Sequence, residues 1–194
     1  MVVGIDISEN MLNYANENLK AQNLDNVEFL KVSWDSINLS DYNWEKKFDL
    51  VIANMCPAIN SNIEIEKMIK ASNNYCFISS FVQRNNSIHD EILQKLKIDN
   101  ANKYKNNIYS KFSYIWDSEM YPNIEYQDGN WENKYTIEEA LDKYVFEVNR
   151  KKELTKDEIG FIENIIKQKE DNGLVTEITK SKIARIYWSV NNII

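Results

Sequence analysis

A strand, an amphipathic helix and a second strand follow one another between Val2 and Val32. Val2, Val3, Ile5 and Ile7 form an apolar run with no turn signal before it, and Asp6 stands at its end. Such a run reads as a strand buried on both faces. Ser8 is placed to cap the helix that follows. Met11, Leu12, Ala15 and Leu19 recur at helical spacing and give that helix one apolar face. Asn23 to Asn26 close it, and Val27, Phe29, Leu30 and Val32 read as the next strand. Two strands joined by a helix over so short a stretch form a βαβ unit, and that connection imposes parallel pairing.

The alternation continues. Phe48-Asp49-Leu50-Val51-Ile52-Ala53 is a short continuous apolar strand, and Pro57 breaks the chain after it. Ile65, Met68 and Ile69 mark a helix, Tyr75 to Val82 another apolar strand. Ser87 is the expected cap of a helix carrying Ile88, Ile92, Leu93 and Leu96. Strands alternating with helices argue for an α/β, doubly wound sheet.

The last third changes character. Ile108 to Met120 reads as a helix that Pro122 ends, and Ile124 to Gln127 as a strand. Thr136 with Glu139, and Thr155 with Glu158, are capping boxes. The first opens a helix through about Arg150. The second, with Leu154 and Ile159 as a hydrophobic staple, opens a helix that Gly173 is expected to stop. Ile183 to Val190 reads as the final strand. One domain over 1–194 is the economical organisation, with a core at 1–82, a C-terminal half at 83–194 and a helical insertion at about 136–172.

Composition excludes several classes of function. The 23 basic and 30 acidic residues give a net charge of -7, without the basic excess of a nucleic-acid binder. No apolar run approaches the ~20 residues that span a bilayer. The chain opens directly on a strand, so no signal peptide is expected. Two cysteines, Cys56 and Cys76, without a CxxC pair and with His89 as the sole histidine, give no metal site. They read as reduced thiols of a cytoplasmic protein. The four glycines, Gly4, Gly129, Gly160 and Gly173, lie far apart, so this chain holds no glycine-rich phosphate or nucleotide loop.

Three strand ends carry candidate chemistry. Asp6, at the carboxyl end of the first strand, is placed to accept hydrogen bonds from both hydroxyls of a ribose. It can equally serve as the acidic start of the helix. In Ser33-Trp34-Asp35 a ring and a polar group could meet the face and edge of an adenine, or Trp34 could be core and Asp35 a turn residue. Asn54, ahead of Met55-Cys56-Pro57, could set an amide beside a substrate or satisfy the turn that Pro57 forces. Tyr121, Tyr126 and Trp131, between Pro122 and Gly129, could form a substrate lid, although aromatics at this density commonly serve packing. His89 reads as a surface residue at a helix start, and Lys151 to Lys169 as a helix with a solvated charged face.

The order and spacing of these segments resemble the core of class I S-adenosylmethionine-dependent methyltransferases, from Val2 to about Val82. The chain is similar to the bacterial and archaeal members that act on small molecules. The resemblance implies a Rossmann-like doubly wound sheet, mostly parallel with an antiparallel C-terminal strand, and S-adenosylmethionine as cofactor. It implies that Asp6 binds the cofactor ribose, that Ile7 and Met11 lie against the nucleoside, and that Ser33, Trp34 and Asp35 hold the adenine. Asn54 joins the cofactor site. Met55, Cys56 and Pro57, with Tyr121 and Tyr126, are expected to line the site of a small-molecule acceptor.

The sequence departs from the family pattern in two places. The acidic residue usual at the second strand's end falls on Ser33, so recognition of the adenine amino group passes to Ser33 or Asp35. Family members also place a strand, a glycine-rich loop and a helix ahead of the segment that opens here. Without them the first central strand is missing, and the chain as given is expected to bind cofactor poorly. A homodimer that completes the sheet is one expected remedy. The rival readings are an inactive methyltransferase-like fragment serving as a binding or scaffold protein, and a dinucleotide-dependent oxidoreductase. The Phe48 to Pro57 segment and the terminal strand argue against the latter. No general base is assigned, because the sulfonium is already a good leaving group and alignment supplies much of the rate.

Overall fold

The computed structural model describes residues 1–99 and 107–191. The first βαβ unit forms as the sequence predicts: β1 (Val2–Asp6), α1 (Glu9–Ala21) and β2 (Val27–Lys31). β1 and β2 pair in parallel, Val2 opposite Val27 and Asp6 opposite Lys31. Ser8 caps α1, its hydroxyl accepting from the Met11 N–H. After a 3-10 turn at Leu39–Tyr42 come β3 (Phe48–Asn54), α2 (Asn62–Ala71) and β4 (Ser72–Asn86). The rest is α3 (His89–Lys95), α4 (Asn107–Asp117), β5 (Asn123–Tyr135), α5 (Ile137–Asn149), α6 (Lys156–Lys167), β6 (Glu170–Asp171) and β7 (Leu174–Ser189). β1 and β2 make a two-stranded sheet, and a second sheet runs β3-β4-β7-β5 with β6 on β7. The fold is α/β with an antiparallel C-terminal strand, as expected.

The chain divides into two compact units, one of residues 1–76 with the chain from Ser189 onward, the other Phe77–Trp188. The first unit centres on Ile37, Leu39, Trp44 and Ala71, all buried. Val3 and Ile5 of β1, Leu30 of β2 and Val51 of β3 pack against them. β1 and β3 therefore feed one cluster while lying in different sheets. Their other faces are open: Val2, Leu50 and Ile52 are exposed. A capping box at Ser61 and Glu64 starts α2.

The second unit centres on Ile92, Leu93, Tyr144, Ile162, Ile166 and Val175, which join α3, α5, α6 and β7. The capping boxes at Thr136–Glu139 and Thr155–Glu158 are both formed. β7 changes sides along its length. It buries Val175, Glu177, Thr179 and Ser181, then Ala184, Ile186 and Trp188, which point to the opposite face.

Several local expectations are corrected. Ser87 does not cap α3, whose N-cap is Ile88; the Asn86 Oδ1 accepts from the Ile88 and His89 N–H groups at 3.0 and 2.9 Å. The Ser87 hydroxyl accepts from Ile178 N–H instead. Gly173 does not stop α6, which ends at Lys167. It closes the β6–β7 hairpin with Asn172 at φ values of 81° and 52°. Positive φ at both positions of a two-residue loop is the hairpin turn that Asn-Gly favours. The strand expected at Ile124–Gln127 runs over Asn123–Tyr135, paired with β7 throughout. Tyr126 and Trp131 are thus strand residues, paired with Ala184 and Thr179 of β7. His89 is mostly buried, its imidazole 3.6 Å from Asp90 and 4.0 Å from Glu147.

Candidate active site

Asp6 ends β1, and the chain leaves it directly into α1. Its Oδ1 accepts from the Ser8 N–H at 2.7 Å, which fixes the carboxylate at the strand end. Both sequence readings of Asp6 are therefore compatible: one oxygen orders the helix start, and a carboxylate has further acceptor capacity for hydroxyl donors. Gly4 lets β1 lie close beneath its neighbour, because a Cβ there would meet the Phe29 ring at 2.6 Å. Beside Asp6, Ile7 and Met11 are 69% and 57% exposed. Two large apolar side chains left in water next to a fixed carboxylate suit the apolar face of a nucleoside.

The segment after β2 is anchored from α2. The Trp34 indole N–H donates to the Glu64 carbonyl at 3.3 Å. The Lys67 ammonium donates to the Trp34 and Asp35 carbonyls at 2.6 and 3.0 Å and lies 5.7 Å from the Trp34 ring centre. Trp34 also packs against the core of its unit. Ser33 donates to Asp35, and this bond holds the Asp35 carboxyl below its ordinary range. Lys67 had no local signal in the sequence, since its partners lie more than thirty residues away.

Asn54 ends β3, exposed. Met55 follows at φ 52°, a left-handed backbone that a long side chain rarely adopts. Strain of this kind collects at functional sites. Cys56 is partly exposed as a free thiol, whereas burial pushes the Cys76 thiol up to about 12. In the second unit Tyr121 is 54% exposed at φ 44°, edge-on to Trp116 with ring centres 5.3 Å apart. Tyr126 is 59% exposed on β5. Asp6, Ile7, Met11, Ser33, Trp34, Asp35 and Asn54 to Pro57 thus belong to the first unit, and Tyr121 and Tyr126 to the second.

A parallel βαβ unit with an ordered acidic residue at the carboxyl end of its first strand is the arrangement on which α/β proteins build nucleoside sites. Residues 1–156 match the family described as methyltransferase domain. The chain belongs to that family, among the class I S-adenosylmethionine-dependent methyltransferases. No curated protein sequence matches it.

Solved structures share the fold at low identity. A methyltransferase candidate from Bacillus halodurans is 9% identical, with TM-score 0.51 over 99% of this chain and 84% of that one. The YcgJ protein from Bacillus subtilis is 13% identical, with TM-score 0.50 over 98% and 82%. Phosphoethanolamine N-methyltransferase 2 of Haemonchus contortus, solved with phosphomonomethylethanolamine and S-adenosylhomocysteine, is 13% identical with TM-score 0.50, over 96% of this chain and 42% of its own.

The residues present fit the nucleoside end of such a cofactor: an acceptor at the strand end with bare apolar side chains beside it. Gly4 lies in β1, Gly129 in β5, Gly160 in α6 and Gly173 in a hairpin turn, so none forms a loop around the cofactor's amino-acid end. Among the described residues no group of histidine, cysteine and carboxylate side chains could hold a metal ion, and no helix is long and apolar enough to cross a membrane.

Proposed function

We propose that the chain binds S-adenosylmethionine and transfers its methyl group to a small-molecule acceptor. The observation that carries this reading is the Asp6 carboxylate, held by Ser8 at the end of β1 beside the exposed Ile7 and Met11. Asp6 would accept from the ribose hydroxyls. Ile7 and Met11 would cover the nucleoside, and Ser33, Trp34 and Asp35 would meet the adenine, with Lys67 fixing their backbone. Asn54 would complete the cofactor site. Met55, Cys56 and Pro57 would line the acceptor. The bound cofactor supplies a methyl on a sulfonium, so the protein's own task is to orient the acceptor and exclude water. The test is calorimetric titration with S-adenosylhomocysteine; saturable binding that Asp6→Ala removes supports the reading, and binding indifferent to that change sinks it.

A second copy completing the sheet belongs to the same proposal, as does weak cofactor binding by a single copy. Its support is that β1 pairs only with β2 among the described strands, although β1 and β3 share one apolar cluster. Parallel strands are ordinarily buried on both faces, yet Val2, Leu50 and Ile52 are bare. Sedimentation decides between the readings. A monomer that binds S-adenosylhomocysteine tightly overturns the dimer; a monomer that does not bind at all favours the inactive, scaffold-like alternative. A cytoplasmic location accords with the two free thiols.

A further inference from the structure

The chain leaves α4 through two left-handed residues. The Glu119 N–H donates to the Trp116 carbonyl at 2.9 Å and the Met120 N–H to the Ile115 carbonyl at 3.3 Å. This pair of bonds is the Schellman end of a helix, which favours glycine at the position Glu119 occupies. Glu119 stands there at φ 60°, and Tyr121 follows at φ 44°. A left-handed backbone is costly for any residue with a Cβ. The turn carries Tyr121 back against α4, edge-on to Trp116, with the ring planes 87° apart and the centres 5.3 Å apart. Phe112, one turn earlier on α4, lies within 26° of the indole plane, its centre 5.9 Å away. The contact hides little, since Trp116 and Tyr121 both remain half exposed. Backbone strain that persists without burial to offset it clusters at ligand clamps.

Two rings in contact at right angles form a corner whose walls are both ring faces. Ring faces carry the negative part of the aromatic quadrupole, so such a corner attracts cations. The charges around it have the same sign. The corner stands at the carboxyl end of α4, where the helix dipole is negative, and the last turn of α4 has no basic residue. Asp117 and Glu119, at the helix end, are exposed and form no ion pair among the described residues. From Asn107 to Gln127 the chain has three acids and one base, Lys111, whose side chain is buried. The shape of the corner narrows the cation further. A planar guanidinium lies flat on one ring, and a primary ammonium is a compact, strongly hydrated charge. A tetraalkylammonium is round, has no N–H to give to water, and touches two perpendicular walls at once.

We propose that the corner of Trp116 and Tyr121 at the end of α4 binds a small, soluble quaternary ammonium ion. All of its residues lie in the second unit, and the proposal does not rest on the cofactor reading.

Tetramethylammonium and tert-butanol, a neutral molecule of similar shape, are the probes. Each is titrated into the full chain at constant ionic strength, with the indole N–H resonances followed by NMR. The Trp116 resonance is the one missing from Trp116→Leu. Tetramethylammonium shifts it saturably; tert-butanol and sodium do not. Tyr121→Leu weakens the binding at least about fivefold, the effect of removing one cation–π wall, and Tyr121→Phe retains it. An equal shift from tert-butanol leaves only an apolar patch, and binding unchanged in Tyr121→Leu removes the corner; either result overturns the proposal. So does a chain that sediments with phosphatidylcholine vesicles while Trp116 ignores tetramethylammonium, which makes the partner a membrane surface. A dimer that Trp116→Leu dissociates makes it a second copy and overturns the proposal as well.

Discussion

The Tyr144 hydroxyl donates to the Glu177 carboxylate at 2.5 Å, tying the middle of α5 to β7. Lys143, the preceding residue on α5, pairs with the same carboxylate and lies over the Tyr144 ring, 4.4 Å from its centre. Burial alone would raise the Glu177 pKa, but bonds from Asn86, Lys143, Tyr144 and Asn133 outweigh it and bring it down to about 2. Burial and the neighbouring carboxylate push the Tyr144 phenol far above its usual range, so it stays a donor.

The pH dependence follows from that lowered carboxyl. Its unfolded value is near 4.5 and its folded value near 2. The stability it contributes is complete above the unfolded value and is lost as pH falls through the folded one. Urea midpoints should therefore drop between about pH 5 and pH 2. In Glu177→Gln the drop should be shallower, and the variant should be about 2 kcal/mol less stable at pH 7, because Lys143 loses the closer of its two charged partners and keeps only Glu147 at 3.7 Å.

Asp6→Ala should weaken S-adenosylhomocysteine by at least about tenfold, since a carboxylate accepting two hydroxyls makes charge-assisted bonds. The thermal midpoint should move little, as Asp6 is a strand-end residue whose carboxylate accepts from the Ser8 N–H and orders the first turn of α1. A large fall in midpoint with unchanged binding would leave Asp6 a helix-start residue only.

The two thiols should label separately. Cys76 is fully buried with its pKa pushed up to about 12, whereas Cys56 is partly exposed after β3. Iodoacetamide at pH 8 should modify Cys56 in the native protein and Cys76 only on unfolding. Protection of Cys56 by S-adenosylhomocysteine would place that segment at the ligand; unaltered labelling would remove it from the site.

Gly173→Ala should destabilise the protein by about 1 kcal/mol, the cost of a left-handed backbone for a residue with a Cβ. A Cβ would meet no atom there, so the loss would be conformational and not steric. Chemical denaturation measures it directly, and a neutral substitution would contradict the turn geometry.

Features set by neighbours in sequence were legible. The capping boxes at Thr136 and Thr155, the strands at Val2 and Phe48, and the helix between Ser8 and Ala21 all depend on residues a few positions apart. Three strand ends in family order were enough to identify the fold. β5 was not legible in full, because Asn123–Tyr135 is rich in charges and amides and is held straight by its long pairing with β7. Trp34's clamp by Lys67 and the Glu177 network join residues thirty or more positions apart, and no local pattern announces them. Gly173 was misassigned because a glycine after a helical pattern suits either a helix end or a hairpin turn.

The Val2 N–H donates to the Asn26 carbonyl. In a parallel ladder alternate residues bond to one side, so Gly4 shares that orientation while Val3 and Ile5 direct their amides away from β2. Deuterium uptake along β1 should therefore be saw-toothed: slow at Gly4, fast at Val3 and Ile5. Any strand laid against that edge would flatten the pattern by slowing Val3 and Ile5, which makes two backbone protons a direct reporter of whether β1 has company.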